Sequence, residues 1–149
     1  MNLRIYLINM KAVILAGGMG TRLRPVIGDD KPKVMLKYSE KPLLHRTVEI
    51  LRDKGIKEIV FVVSHMKHKI IDYFGDGKNF GMNIDYVFQE NPKGGTADAT
   101  RCAKNKINED KFLLLYGDNV FELSAIEKLL KNRFDFDGVY VRKKLLIRR

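Results

Sequence analysis

Short apolar runs alternate with amphipathic segments along most of the chain. Unbroken runs of β-branched and aromatic residues are typical of strands buried on both faces, whereas apolar residues spaced three or four apart are typical of helices. The pattern predicts strands in KAVILA (11–16), EIVFVVS (58–64), NIDYVFQ (83–89), KFLLLYG (111–117) and DGVYVRK (137–143).

Amphipathic segments between these strands predict the helices. They are KPLLHRTVEILRDKGI (41–56), MKHKIIDYF (66–74), TADATRCAKNKI (96–107) and SAIEKLLKN (124–132), and a loop is predicted after the first strand up to about residue 40. Regular alternation of strands and helices predicts a three-layer α/β fold with a mostly parallel sheet. A length of 149 residues suits one domain, so we expect residues 1–149 to form a single unit.

The first nine residues, MNLRIYLIN, allow two interpretations. They either lengthen the first strand or precede a start at Met10. Neither interpretation makes them an export signal, because no small-residue cleavage site follows them.

Composition indicates which classes of ligand and partner the chain can have. A net charge of +10 favours a polyanionic ligand. The basic residues are mostly scattered, without aromatic stacking platforms between them, which favours a nucleoside triphosphate over nucleic acid. Cys102 is the single cysteine, so we expect no intrachain disulfide and a cytoplasmic setting. No apolar run approaches the roughly 20 residues that cross a bilayer, so we expect no membrane partner.

Three segments that follow predicted strands are candidates for a ligand site. They are the loop at residues 17–33, the loop after Gln89 and the loop that begins at Asp118. In parallel α/β sheets, ligands bind beyond the carboxyl ends of the strands. We therefore expect these segments, which are far apart in sequence, to meet at one edge of the sheet.

The loop AGGMGTR has the residues for holding phosphate. Its glycines let backbone N–H groups approach phosphate oxygens without interference from a Cβ atom. It lacks the Lys-Ser/Thr ending of a P-loop and the third glycine of a dinucleotide-binding motif, so neither of those sites is predicted. Arg22 and Lys33 follow the glycines, and two fixed cations suit a triphosphate.

Several of these segments together resemble a known family. The segments LAGGMGTRLRP, PKVM, KPLL, YFGDGKNFGMNIDYVFQENPKG and LLLYGDN resemble the sugar-1-phosphate nucleotidylyltransferases, and look most like the glucose-1-phosphate thymidylyltransferases and their uridylyl relatives. The resemblance implies a Rossmann-like nucleotidyltransferase fold. It also implies a longer catalytic domain, so we expect a C-terminally truncated version that lacks most of the sugar pocket and the second metal-binding aspartate.

The resemblance assigns a role to each matching residue. It implies that Leu15, Ala16, Gly17, Gly18, Gly20 and Thr21 cradle the nucleotide, that Arg22 stabilises the transferring phosphate, and that Lys33 contacts the phosphates. Gln89 corresponds to the glutamine that reads a pyrimidine base, which favours dTTP or UTP. Gly94 falls where the family has a second nucleotide-contacting glycine. Asp118 matches the aspartate that binds Mg²⁺.

The run Gly94-Gly95-Thr96 leaves two alternatives open. The run can represent one inserted residue relative to the thymidylyl pattern, so the contact with the base could come from this turn, including Thr96. Alternatively, the glycines only shape a turn and Thr96 only caps the next helix.

The implied reaction is transfer of a nucleotidyl group from dTTP or UTP to a sugar 1-phosphate, glucose 1-phosphate by resemblance, with release of pyrophosphate. The alternative is a non-catalytic fragment of the family that binds nucleotide or forms oligomers. An uncovered strand edge in a half-length domain would favour a homo-oligomer.

Overall fold

The computed structural model describes residues 10–18, 20, 31–109 and 111–131. The strands in these ranges are β1 (Lys11–Leu15), β2 (Lys37–Tyr38), β3 (Lys41–Pro42), β4 (Glu58–Val63), β5 (Asn83–Phe88) and β6 (Phe112–Tyr116). The helices are α1 (Leu43–Asp53), α2 (Lys67–Phe74), α3 (Gly95–Cys102) and α4 (Leu123–Lys131). Among the described residues, no helix is both long enough and apolar enough to span a bilayer.

Four parallel strands form the main sheet, in the order β5-β4-β1-β6. β4 lies between β1 and β5, and five of its six residues are buried. That burial explains why its sequence is an unbroken apolar run, because helices cover both of its faces. β6 pairs with β1 alone among the described strands, and its burial alternates along the strand.

Helices lie on both faces of the sheet, which confirms the three-layer α/β architecture. One face packs against α1, α2 and α4, through residues such as Leu44 and Leu51 on α1 and Ile126 on α4. The other face packs against α3, where Ala99 and the following Ala103 contact the valines of β1 and β4. Small side chains on α3 let the helix lie close to the sheet.

Two local predictions need correction. The predicted loop before residue 40 contains a 3₁₀ helix, Lys33–Met35, and the strand β2, which pairs with β3 in an antiparallel manner. The predicted helix 96–107 is α-helical only to Cys102 and continues as a 3₁₀ helix, Lys104–Lys106. Two-residue strands and 3₁₀ turns are too short to show a period in the sequence. The predicted strand 137–143 lies outside the described residues.

The strand order reverses beside β1, which places a ligand crevice there. The chain runs outward from β1 through β4 to β5 and then returns across the sheet to β6. α3, which makes that return, packs on the face opposite to α1 and α2. Loops at such a reversal separate to opposite faces and leave a crevice at the carboxyl ends of the two strands that flank it, here β1 and β6.

Candidate functional site

The glycine loop leaves β1 in close contact with β4 and the residue that follows it. Ala16 N donates to Val62 O at 2.8 Å, which continues the sheet for one more residue. Ser64 Oγ then donates to Gly17 O. A Cβ atom at Gly17 would lie 3.0 Å from Ser64 Oγ and 3.2 Å from Ser64 N, so this close approach favours a glycine. The start of the loop is therefore fixed in position before any ligand arrives.

Gln89 follows β5 and is one of the few buried polar residues of the described chain. Its backbone N donates to Val63 O at 2.9 Å, and its side chain is oriented by Asp98 and Gly95. Gln89 Nε2 lies 3.0 Å from Asp98 Oδ2 and 3.3 Å from Gly95 O. Only 6% of the residue is exposed, so the amide occupies one defined place at the end of β5.

Asp98 is held from two further sides. Arg101 Nη2 donates to Asp98 Oδ1 at 2.7 Å. The pKa of the Asp98 carboxyl lies below its ordinary value, because the Gln89 amide donates to the ionised form and Arg101 donates beside it. A Cβ atom at Gly94 would lie 2.5 Å from Asp98 Oδ2, so the carboxylate rests directly over the glycine backbone.

Lys33 and Asp118 meet across 85 residues of sequence. Lys33 Nζ lies 2.6 Å from Asp118 Oδ2, and the two side chains are 34% and 33% exposed. Lys33 opens a 3₁₀ helix, and Asp118 follows β6 after Gly117, whose N donates to Leu15 O at 2.9 Å. The two charges therefore neutralise each other at the carboxyl ends of β1 and β6.

The glycine loop, Gln89, Lys33 and Asp118 line one cavity of about 350 Å³. Such a volume lies within the range of small-molecule sites. Tyr116 and Thr96 lie on its wall with their hydroxyl oxygens 3.1 Å apart. The lining residues are Leu15, Gly17, Gly18, Gly20, Lys33, Val34, Gln89, Pro92, Gly95, Thr96, Ala99, Tyr116 and Asp118.

Most of the residues expected at the site are brought together by the fold. The expected residues that line the cavity are Leu15, Gly17, Gly18, Gly20, Lys33, Gln89 and Asp118. Ala16 and Gly94 are next to lining residues in the chain without lining the cavity themselves. Thr21 and Arg22 lie outside the described residues.

The Gly94-Gly95-Thr96 turn combines elements of both alternatives. Gly94, with φ −66°, occupies the cap position of α3, so Thr96 is not the cap residue. Gly95 has φ +74°, a conformation that favours glycine, and it lines the cavity together with Thr96. This turn therefore shapes both the start of α3 and the wall of the cavity.

Sequence reasoning missed Ser64, Asp98 and Tyr116. Ser64 and Asp98 act through neighbours that were expected, Gly17 and Gln89, and a one-dimensional pattern does not show which residue touches which. A buried glutamine needs partners for its amide, and that need was the available signal for Asp98.

Asp118 fits a divalent cation that is shared with a substrate. In the described part of the chain, no group of three or more His, Cys, Asp or Glu side chains could hold a metal ion. Mg²⁺ commonly binds one or two carboxylates together with substrate phosphates and water, and one aspartate beside the glycine loop and Lys33 can supply such a carboxylate. The residues present therefore suit an ion that enters with a triphosphate.

Comparisons with known proteins identify the family of the chain. The Nucleotidyl transferase family model matches residues 11–138. UTP--glucose-1-phosphate uridylyltransferase AglF of Haloferax volcanii is 39% identical over 126 residues, covering 85% of this chain and 50% of that protein. A glucose-1-phosphate thymidylyltransferase of Streptomyces griseus is 36% identical over 118 residues, covering 79% of this chain and 32% of that protein.

A solved structure gives the same result for the fold. The inositol-1-phosphate CTP transferase from T. maritima superposes with a TM-score of 0.70 at 28% identity, covering 85% of this chain and 50% of that one. The present chain thus spans between about a third and a half of the length of these proteins. On the family match, the shared fold and the residues around the cavity, the chain belongs to the nucleotidyl transferase family.

Proposed function

We propose that the chain binds dTTP or UTP together with Mg²⁺ and transfers the nucleotidyl group to a sugar 1-phosphate, with glucose 1-phosphate as the first candidate. The observation that carries the proposal is the shared cavity on which the glycine loop, Lys33, Gln89 and Asp118 converge. Glycine backbone and an ammonium group suit phosphates, and a buried amide suits the polar edge of a base.

The reaction requires orientation and charge neutralisation more than a nucleophile from the protein. A phosphate oxygen of the sugar 1-phosphate forms a bond to the α-phosphorus of the nucleotide, and the bond from that phosphorus to the bridging oxygen breaks as pyrophosphate leaves. The three loop glycines would offer backbone N–H groups to the triphosphate, and Lys33 would turn from Asp118 to the phosphates. Asp118 would hold the cation, which neutralises charge on the departing pyrophosphate. We assign Arg22 to the transferring phosphate on the family pattern.

Names of related proteins support the reaction class and leave the base open. The relatives described above are named for UTP and for thymidylyl transfer to glucose 1-phosphate, whereas the solved structure is of a CTP transferase. We propose that residues around Gln89 select the base in this chain.

A second candidate function is a nucleotide-binding fragment that associates with itself without catalysis. Three apolar side chains on one face of β6 are exposed, Phe112 at 37%, Leu114 at 39% and Tyr116 at 47%. An exposed apolar row on a strand at the edge of the described sheet is a feature that favours association. Light scattering that shows a monomer at high protein concentration would exclude this candidate.

The direct test is release of pyrophosphate from dTTP or UTP in the presence of glucose 1-phosphate and Mg²⁺. We expect release by the wild type and none by Arg22→Ala. Arg52→Ala is the matched control, since Arg52 lies on α1 and pairs with Asp53. No release from the wild type, with dTTP binding retained in calorimetry, would favour the fragment over the enzyme.

A further inference from the structure

The orientation of the Gln89 amide follows from its neighbours. The amide atom that lies 3.0 Å from Asp98 Oδ2 and 3.3 Å from Gly95 O faces two groups that can only accept hydrogen bonds. A carbonyl oxygen there would face two other oxygens without a proton between them. The atom must therefore be Nε2, whose two protons can serve the two acceptors.

That orientation leaves only an acceptor for a ligand. Gln89 lines the cavity, and no described residue donates a hydrogen bond to its Oε1. A buried Oε1 without a partner would be an unsatisfied buried atom, and Oε1 is not one of these atoms in the described chain. The oxygen is therefore not buried, and a ligand can reach it. The amide then presents Oε1 to the cavity, while its N–H groups are used inside the protein.

We propose that Asp98 is a positioning residue, which holds Gln89 with its oxygen toward the cavity so that the site selects uracil or thymine over cytosine. The inference rests on the proposed nucleotide site. Uracil and thymine carry an N3–H group that can donate a hydrogen bond to an Oε1 placed opposite N3. Cytosine has a lone pair at N3, which would face the lone pairs of an oxygen in that place without a hydrogen bond, since its N4–H donor lies where uracil has O4.

Features around Asp98 support this role. Gly94 has an ordinary negative φ of −66°, so its conformation does not require glycine. A Cβ atom there would nevertheless lie 2.5 Å from Asp98 Oδ2 and 2.7 Å from Asp98 Cβ. Arg101 fixes the second carboxylate oxygen from the next turn of α3. The carboxylate is thus held in one place, where it can impose an orientation on Gln89.

Competition between UTP and CTP tests the consequence, since the two bases differ only at the N3 and C4 edge. We expect the wild type to bind UTP about 30-fold more tightly than CTP, as for one hydrogen bond replaced by an unsatisfied pair of acceptors. In Asp98→Ala, we expect the ratio to fall to about 5-fold or less, through tighter CTP binding relative to UTP. Asp85→Asn is the matched control, because Asp85 lies on β5 and pairs with Lys106, and its ratio should equal that of the wild type.

A second measurement needs no nucleotide. Gln89 is the single glutamine of the chain, so ¹⁵N-glutamine labelling reports its side-chain amide without ambiguity. In the wild type we expect the two amide proton resonances to be displaced from free-amide values and to exchange slowly with water, and in Asp98→Ala we expect both resonances to move toward free-amide values. A merely structural role for Asp98 would lower stability in this variant without changing the UTP to CTP ratio.

The outcomes separate the two proposals. Equal binding of UTP and CTP by the wild type, or an unchanged ratio in Asp98→Ala, overturns the role of Asp98 while nucleotide binding stands. Absence of binding by every nucleotide contradicts the proposed function. In that case, the amide spectra decide alone whether Asp98 orients Gln89, and free-amide resonances in the wild type would overturn that as well.

Discussion

The two ends of the cavity differ in how their polar groups are held. At the base end (Gln89, Gly95, Asp98), the amide of a residue that is 6% exposed makes hydrogen bonds within the protein. At the phosphate end (Lys33, Asp118), one ion pair joins two side chains that are each about one third exposed. At the base end, the groups that hold Gln89 are separate from the oxygen that is left for a ligand. At the phosphate end, the two groups that are left for a ligand hold each other.

This difference determines which contacts within the protein a bound nucleotide would have to break. Hydrogen bonds at the base end can persist when a base arrives, because the accessible Oε1 is not part of them. On the proposed function, the ion pair at the phosphate end must open, because Lys33 would bind a phosphate and Asp118 would bind the cation. A partly exposed ion pair contributes only about 0–1 kcal/mol, so phosphate and Mg²⁺ can replace it at little cost.

Loss of Lys33 should have the largest effect. Lys33→Ala removes the cation that we assign to the phosphates, and we expect UTP affinity to fall about 30-fold, as for one charged hydrogen bond. Calorimetric titration measures the change. Lys41→Ala is the matched control, because Lys41 pairs with Glu49 and does not line the cavity. Equal affinity in Lys33→Ala and Lys41→Ala would remove Lys33 from the phosphate end.

Loss of the Asp118 charge should act in opposite directions with and without Mg²⁺. Asp118→Asn frees Lys33 and removes a negative charge near the phosphates, so UTP affinity without Mg²⁺ should rise about 3-fold. With Mg²⁺, the variant should lose the gain in affinity that the cation gives to the wild type. Calorimetric titration with and without the cation measures both effects. A fall in affinity under both conditions would contradict the exchange of partners at the phosphate end.

Crowding at Gly94 should disturb the base end. Gly94→Ala places a Cβ atom against Asp98, and we expect a loss of about 1–2 kcal/mol in the free energy of unfolding, as for other overpacked sites. Urea denaturation measures it. Gly18→Ala is the matched control for stability, since a Cβ atom at Gly18 would meet nothing within 4 Å. Equal stability of the two variants would mean that Asp98 is not held against Gly94.

Strong acid should weaken the base end by a small amount. The pKa of Asp98 is lowered from 3.8 by its bonds to Gln89 and Arg101, so ionised Asp98 favours the folded state. This contribution is present above the unfolded pKa and is lost as the pH falls through the lower folded value. Asp98→Asn should therefore flatten part of the fall in stability below about pH 4, which urea denaturation at a series of pH values measures. Parallel pH profiles for the variant and the wild type would argue against it.

Much of the fold could be predicted because burial leaves a strong pattern. β4 is covered on both faces, and its residues read as one apolar run. α1 buries Leu44, Val48 and Leu51 at helical spacing. β2 and β3 could not be predicted, because two residues are too few for a period.

Site residues that directly follow a strand could be predicted from the sequence. Residues that only orient another side chain were harder to predict. Gln89 and Asp118 follow β5 and β6, so the strand ends indicated their place. Asp98 lies among small residues on α3, and the signal for it was indirect: a buried Gln89 needs a partner for its amide, but the pattern does not say which residue supplies it. Lys33 and Asp118 were each expected near phosphate or metal, and their mutual ion pair appears only when the fold brings them together.

Titration of the ¹⁵N-labelled chain with UTP and Mg²⁺ shows whether a pyrimidine nucleoside triphosphate binds in this one cavity. We expect saturable shifts at the side-chain amide of Gln89 and at the glycines that line the cavity, with Gly77 and Gly81 unchanged. The lining glycines are Gly17, Gly18, Gly20 and Gly95. No saturable shift, or shifts centred away from the cavity, would contradict binding of the nucleotide in this cavity.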